Sequence, residues 1–250
     1  MTTVVTGWTG RAYDPLGYQF LDTLDRYWPP AVGVSYYVDA GYRNTSEKRA
    51  MSARLLSDCD GLVDFIARHK DDKAATGRRI NERWKAKEVA AGYSFRFDAV
   101  RFATQLFIPE AAARHLPDGE ILAWFDADVV TNAAVPEGFV EGLIGGADLV
   151  YLGREPKHSE IGFWAVRLNP LTRWFLSALA NVYRQDKVFS LAETHSAFVF
   201  DHCRREFEQK RKAVRNLTPG GSGHVWPKSP LGACTEHLKG KRKHAFMRAA

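Results

Sequence analysis

Asp126 and Asp128 stand two residues apart, directly after the apolar run ILAWF at 121–125. Side chains two apart on an extended strand share a face, so both carboxylates point one way. Such a pair at the carboxyl edge of a parallel sheet is costly unless a cation balances it. Oxygen ligands with room left for water and phosphate suit Mn²⁺ or Mg²⁺. A divalent ion at that point neutralises the charge that develops on a departing diphosphate. The D-x-D tripeptide is common in polar turns, and the five apolar residues ahead of it single this one out.

The strand that carries the pair is apolar on both faces, the pattern of a central strand. TVVTGW (3–8) reads as a buried first strand. YQFLDTLDRYW (18–28) places Phe20, Leu21, Leu24, Tyr27 and Trp28 at helical spacing, and Pro29 and Pro30 stop that helix. VGVSYYVD (32–39) is a second strand, and the crossover length predicts parallel pairing with the first. Residues 60–90 read as helical, and 95–116 as an amphipathic helix leading through Pro117, Asp118 and Gly119 into the acidic strand. Further strands are predicted at 147–153 and 162–169, a helix at 170–185, and a short strand, AFVFD (197–201), before a basic helix. From residue 216 the chain reads as loop. With no internal repeat and no linker, the expectation is one α/β domain with a central, mostly parallel sheet and helices on both faces.

An apolar strand ending in D-x-D resembles the signature of GT-A glycosyltransferases. A second segment, H-L-K-G-K-R-K (237–243), is similar to the H-x-x-G-x-x-K motif of glycogenin-like transferases. The resemblance implies a GT-A-like domain that moves a sugar from a nucleotide diphosphate to an acceptor hydroxyl. It implies that His237 joins Asp126 and Asp128 on the metal through a neutral imidazole nitrogen. Asp126 would also face the donor, Gly240 would let the backbone approach the diphosphate, and Lys243 would contact it as a point charge. In the same family the first strand ends in threonine, and a tyrosine four residues before a glycine follows. Thr6, Tyr13 and Gly17 fit that arrangement, so Thr6 and Tyr13 would meet the nucleoside. Arg101 lies where related enzymes turn a basic residue toward the donor; Asp98 either pairs with it or holds a sugar hydroxyl. The half up to residue 128 is expected to hold the nucleotide, and 129–250 to shape the acceptor side.

For the transfer step the titratable candidates are Glu193, His195 and Glu160. In an inverting enzyme Glu193 or His195 would be the general base for the acceptor hydroxyl. In a retaining one the leaving phosphate would do that work, and Glu193 and Glu160 would bind sugar and stabilise charge. The histidine motif resembles retaining enzymes. PGGSGH (219–224) is a glycine-rich stretch that could close over the donor, bringing His224, Trp226 and Lys228 inward.

Composition bounds the alternatives. The 250 residues carry a formal charge of +6, partly from RREFEQKRKAVR (204–215) and KGKRKHAFMR (239–248). That excess suits an anionic partner: a nucleotide, a nucleic acid or a peripheral anionic surface. The acceptor class, whether glycan, lipid, protein or nucleic acid, stays open. Three scattered cysteines give no metal-ligand spacing, and there is neither a secretory pattern nor an apolar stretch long enough to span a bilayer. The expected location is therefore cytoplasmic. A sugar-phosphate nucleotidyltransferase would need a glycine-rich, basic loop after the first strand, where GWTGRAYDPLG offers only Arg11. A non-catalytic nucleic-acid-binding module would explain the charge but not two aspartates at a core strand's end.

Overall fold

The computed structural model describes residues 1–39, 49, 51–210, 213–240 and 242–243. Of the two basic stretches, residues 211–212, 241 and 244–248 lie outside the described residues. The sheet grows from the β-branched N-terminus. Strand β1 (Thr2–Gly7) pairs in parallel with β2 (Gly33–Val38) on one side and β4 (Ile121–Phe125) on the other. The edge strand β3 (Met51–Leu55) runs parallel to β2. Beyond β4 the direction reverses: β7 (Glu160–Arg167) is antiparallel to both β4 and β6 (Leu149–Leu152), and β8 (Val214–Asn216) closes the sheet parallel to β6. The order is β3-β2-β1-β4-β7-β6-β8, a mostly parallel seven-stranded sheet. A separate two-stranded ribbon joins β5 (Val129–Thr131) to β9 (Thr235–His237).

Alternation along β4 sends consecutive side chains into two different cores. Leu122 and Trp124 join one cluster with Leu106, Phe107, Phe175 and Phe200, whereas Ile121, Ala123 and Phe125 join the other with Phe20, Leu21 and Leu24. The first cluster is covered by α2 (Leu62–His69), α4 (Ala99–Ala113), α6 (Pro170–Arg184) and α7 (Ser196–Lys210). The second lies under α1 (Asp14–Tyr27) and α5 (Phe139–Ile144). A short surface helix, α3 (Ala86–Ala91), completes the set. Burial of both faces is what a near-continuous apolar strand demands, and each fully buried large side chain contributes roughly 1.5–3 kcal/mol.

Three expectations change. AFVFD is not a strand but the first turns of α7, where Val199, Phe200, Cys203 and Phe207 bury one face against α6 and β7. Three β-formers in a row, Phe198, Val199 and Phe200, carry no period, and tertiary burial decides. The 60–90 region is not one helical stretch: it holds α2 and α3, and the chain between them turns through Gly77 at φ 66°. The third change is a set of strands that no sequence feature announced: β3, β8 where the basic helix is expected, and β9 within the stretch read as loop.

Candidate metal and donor site

The acidic pair sits where β4 ends. The Asp126 N–H donates to the Gly162 carbonyl at 2.9 Å, continuing the β4–β7 contact by one residue. Two residues past Trp124, the Asp126 carboxylate falls on that side chain's side of the sheet. Its Oδ1 accepts from Trp124 Nε1 at 3.0 Å and from Gln105 Nε2 of α4 at 2.9 Å. Asp128 directly precedes β5, in which Val129 stands opposite His237 of β9. The Leu238 N–H donates to the Asp128 carbonyl at 2.9 Å. This ribbon brings the imidazole to the acids: His237 Nε2 lies 2.9 Å from Asp128 Oδ1 and 3.8 Å from Asp126 Oδ2. Gly162 makes room for it, since a Cβ there would lie 2.5 Å from His237 Cε1.

Burial, and after it the Asp128 charge, pushes the Asp126 carboxyl up to about 6. Burial would push Asp128 the same way, but His237 and Lys243 outweigh it and hold that carboxyl well below the usual carboxylate range. Lys243 Nζ stands 2.6 Å from Asp128 Oδ2. For His237 burial alone would lower the pKa, yet the Asp128 and Glu160 carboxylates raise it to about 9. The carboxylates thus recruit an imidazolium and an ammonium, the positive charge that a divalent ion would otherwise supply.

The pairing is incomplete. Asp128 Oδ1 and His237 Nδ1 are buried without a hydrogen-bond partner. The 2.9 Å contact between Asp128 Oδ1 and His237 Nε2 is therefore close without being aligned as a hydrogen bond, and Glu160 Oε1 stands 3.4 Å from Nδ1, also unaligned. Buried polar atoms left in that state are costly. One ligand atom from each of Asp126, Asp128 and His237 lies within 4.8 Å of the others. Two carboxylates and one imidazole fit Mn²⁺ or Mg²⁺ with positions left for oxygen ligands.

These groups line a cavity of about 530 Å³. Tyr13, Arg101, Gly240 and Lys243 form part of its wall. Arg101 reaches Tyr13 Oη at 3.1 Å and Tyr93 Oη at 3.2 Å, while Lys243 Nζ stands 5.2 Å from the Tyr13 ring centre. Gly240 has φ 56°, a left-handed value that suits glycine. Thr6 is fully buried and off the wall, and its neighbour Gly7 lines the cavity instead. Asp98 caps α4, accepting the Arg101 N–H at 3.0 Å and the Tyr93 hydroxyl at 2.8 Å, and it too is off the wall.

At the other end of the cavity Glu160 accepts Lys239 Nζ and, at 3.2 Å, Arg154 Nη1. Burial opposes its ionisation, but His237 and Lys239 outweigh it and hold the Glu160 carboxyl well down. His195 lines the cavity; Glu193 stands behind it, with Oε2 2.8 Å from His195 Nε2. The 219–224 stretch does not line the cavity; the Glu155 N–H donates to its Gly221 carbonyl at 2.8 Å. Neither His224 nor Lys228 reaches the wall. Trp226 is buried behind His237, edge to face at 5.0 Å between ring centres.

No family model matches the chain, and no curated protein matches it in sequence. Solved structures are similar to it in fold. A glycosyltransferase involved in the glycosylation of the major capsid of PBCV-1 aligns over 100% of this chain and 99% of its own, with TM-score 0.52 and 11% identity. The fold is GT-A-like. Mouse xyloside xylosyltransferase 1, in its apo form, aligns over 93% of this chain and 91% of its own, with TM-score 0.47 and 10% identity. WbbM, a bifunctional glycosyltransferase also in the apo form, aligns over 96% of this chain and 46% of its own, at TM-score 0.48 and 12% identity.

Within the GT-A-like fold, several residues on and behind the cavity wall escaped the sequence reading. Gln105 bridges Asp126 and Ser196, whose hydroxyl bonds to Gln105 Oε1. Arg154 and Lys239 hold Glu160. His158 joins Glu193, and Arg96 anchors that carboxylate from behind. Gln105 was findable, since it falls one helical turn after Arg101. The others sit in irregular chain or on unpatterned charge runs and send no local signal. Among the described residues no helix is long and apolar enough to cross a membrane.

Proposed function

We propose that the protein is a metal-dependent glycosyltransferase that moves a sugar from a nucleotide diphosphate to an acceptor hydroxyl. One observation carries the reading: Asp126, Asp128 and His237 converge on one point in the cavity, with buried atoms lacking partners. Asp126, Asp128 and His237 would hold Mn²⁺ or Mg²⁺, which would neutralise the charge on the leaving diphosphate. Lys243 leaves Asp128 for the diphosphate once a cation balances the acids, and Gly240 gives the backbone room beside it. Tyr13 and Arg101 take the nucleoside end, Tyr13 by stacking; Thr6 supports this end from the sheet beneath, and Asp98 does so by capping the helix that carries Arg101. Thus the half up to residue 128 binds the nucleotide, while 129–250 shapes the acceptor side and returns the His237 segment to the metal.

On the acceptor side, Glu160 with Arg154 and Lys239 binds sugar hydroxyls near the metal. His195 is the general base of an inverting transfer: its Nε2–H donates to Glu193, which leaves Nδ1 as the proton acceptor. A retaining transfer would leave deprotonation to the departing phosphate and keep Glu193 and Glu160 for binding. A panel of nucleoside diphosphates and their sugars, each with Mn²⁺, tests the reading by thermal shift, because a ligand of the folded form raises Tm with saturation. A rise for one nucleotide series only when Mn²⁺ is present supports it. Equal melting across the panel, with and without metal, would sink it.

A further inference from the structure

A second group of ligand-type side chains stands on the acceptor side. Glu193 Oε2 lies 2.8 Å from His195 Nε2 and 3.4 Å from His158 Nε2. The three ligand atoms fall within 4.8 Å of one another. Three further contacts prepare this point. Arg96 Nη1 takes the other Glu193 oxygen, Oε1, at 2.9 Å, so Oε2 is the atom presented to the histidines. Glu88 fixes Arg96 in turn, with contacts of 3.0 Å and 2.8 Å. Behind His158, Nδ1 lies 3.8 Å from Asp201 Oδ2, and Asp201 is itself held by the Ser159 N–H and hydroxyl at 2.9 Å and 2.5 Å. A carboxylate behind a ligating histidine and a donor behind a ligating carboxylate are how proteins orient metal ligands.

We propose that His158, Glu193 and His195 form a second cation site, nitrogen-rich and suited to Zn²⁺, separate from the oxygen-rich Asp126–Asp128–His237 site. Two imidazoles and one carboxylate match zinc's borderline softness, and three protein ligands leave a tetrahedral position open. The way in exists: the His158 side chain is 32% exposed and His195 borders the main cavity. On binding, each neutral imidazole gives its Nε2 lone pair to the ion and carries its proton on Nδ1, so His158 then turns an N–H toward Asp201. The tautomer shift releases no proton. A ligating His195 and a His195 acting as base exclude each other, and the test decides between them.

The probe is zinc chloride, titrated calorimetrically against a competing chelator into an Asp126→Asn/Asp128→Asn variant, which disables the first site. One equivalent should bind, and adding His158→Ala should weaken it at least about 100-fold. His158 is partly exposed, so circular dichroism should report an intact fold in that variant. In zinc-soaked wild-type crystals, anomalous scattering should peak between the three side chains. No zinc bound by the double variant, undiminished binding after His158→Ala, or an anomalous peak only at Asp126, Asp128 and His237 would each overturn the site. None of these results bears on the nucleotide panel, so the two readings fail separately.

Discussion

His195 of the second cluster borders the cavity that the first cluster lines, and the two clusters of ligand-type side chains differ in how far the protein satisfies them by itself. Around Asp126, Asp128 and His237, two buried polar atoms have no hydrogen-bond partner, and burial together with Asp128 lifts Asp126 to about 6. Around Glu193 both carboxylate oxygens are engaged, Oε1 by Arg96 and Oε2 by His195. The first cluster is electrostatically unfinished and gains from a cation. The second is a closed network that a cation must partly dismantle, so its affinity should be the lower of the two. An active site keeps its frustration where ligand charge will arrive and closes its networks where geometry must be held.

The comparison breaks most readily at the acids. Asp126→Asn/Asp128→Asn should lose Mn²⁺-dependent donor binding and turnover by at least about 100-fold with little change in melting, because relief of the repulsion between two buried carboxylates offsets the loss of the His237 and Lys243 contacts to Asp128. Calorimetry with Mn²⁺ and a melting curve check both halves; a large loss of stability would mean the pair is structural. The opposite pattern is expected at Arg96→Ala. Removing that guanidinium strands Glu88 and Glu193, costing about 3 kcal/mol in denaturant unfolding, as breaking a buried ion pair does. Mn²⁺ binding at the acid pair should survive it.

Smaller effects sharpen the picture. Tyr13→Ala should raise the donor KM about 10-fold, on the scale of one aromatic stacking contact, with kcat nearly unchanged and Tyr13→Phe close to wild type. A fall in kcat alone would move Tyr13 away from the nucleoside. The last effect is a pH dependence. The hydrogen bonds from Arg96 hold the Glu88 carboxyl down at about 2. Its stabilising contribution is then full above the ordinary glutamate range and disappears as pH falls toward about 2. Glu88→Gln should be less stable than wild type at neutral pH, and the gap should close on acidification. A gap constant with pH would show that the ion pair is not its source.

Local chemistry alone made several features legible. The five apolar residues before Asp126 announce a doubly buried strand, but both aspartates lie past its end in a turn, so strand alternation does not place Asp128. Phe20, Leu21 and Leu24 mark the face that α1 buries, and Pro29 and Pro30 mark its end. Where the period failed, so did the reading: AFVFD has no alternation and no charged face within five residues, and only packing against α6 and β7 makes it helix.

By itself, the sequence marked a pair of carboxylates of the type a hard cation takes, the buried strand that leads to them, and the α/β character of the domain. Only the tertiary structure decided that β5 and β9 pair, and that pairing sets His237 beside Asp128. It also decided that Thr6 is sealed in the sheet, that Glu193 stands behind His195, and that Arg96 and His158 belong with them. Periodicity reports which face of its own element a side chain occupies. Contacts between distant segments depend on how whole elements pack, and no short window of residues contains that.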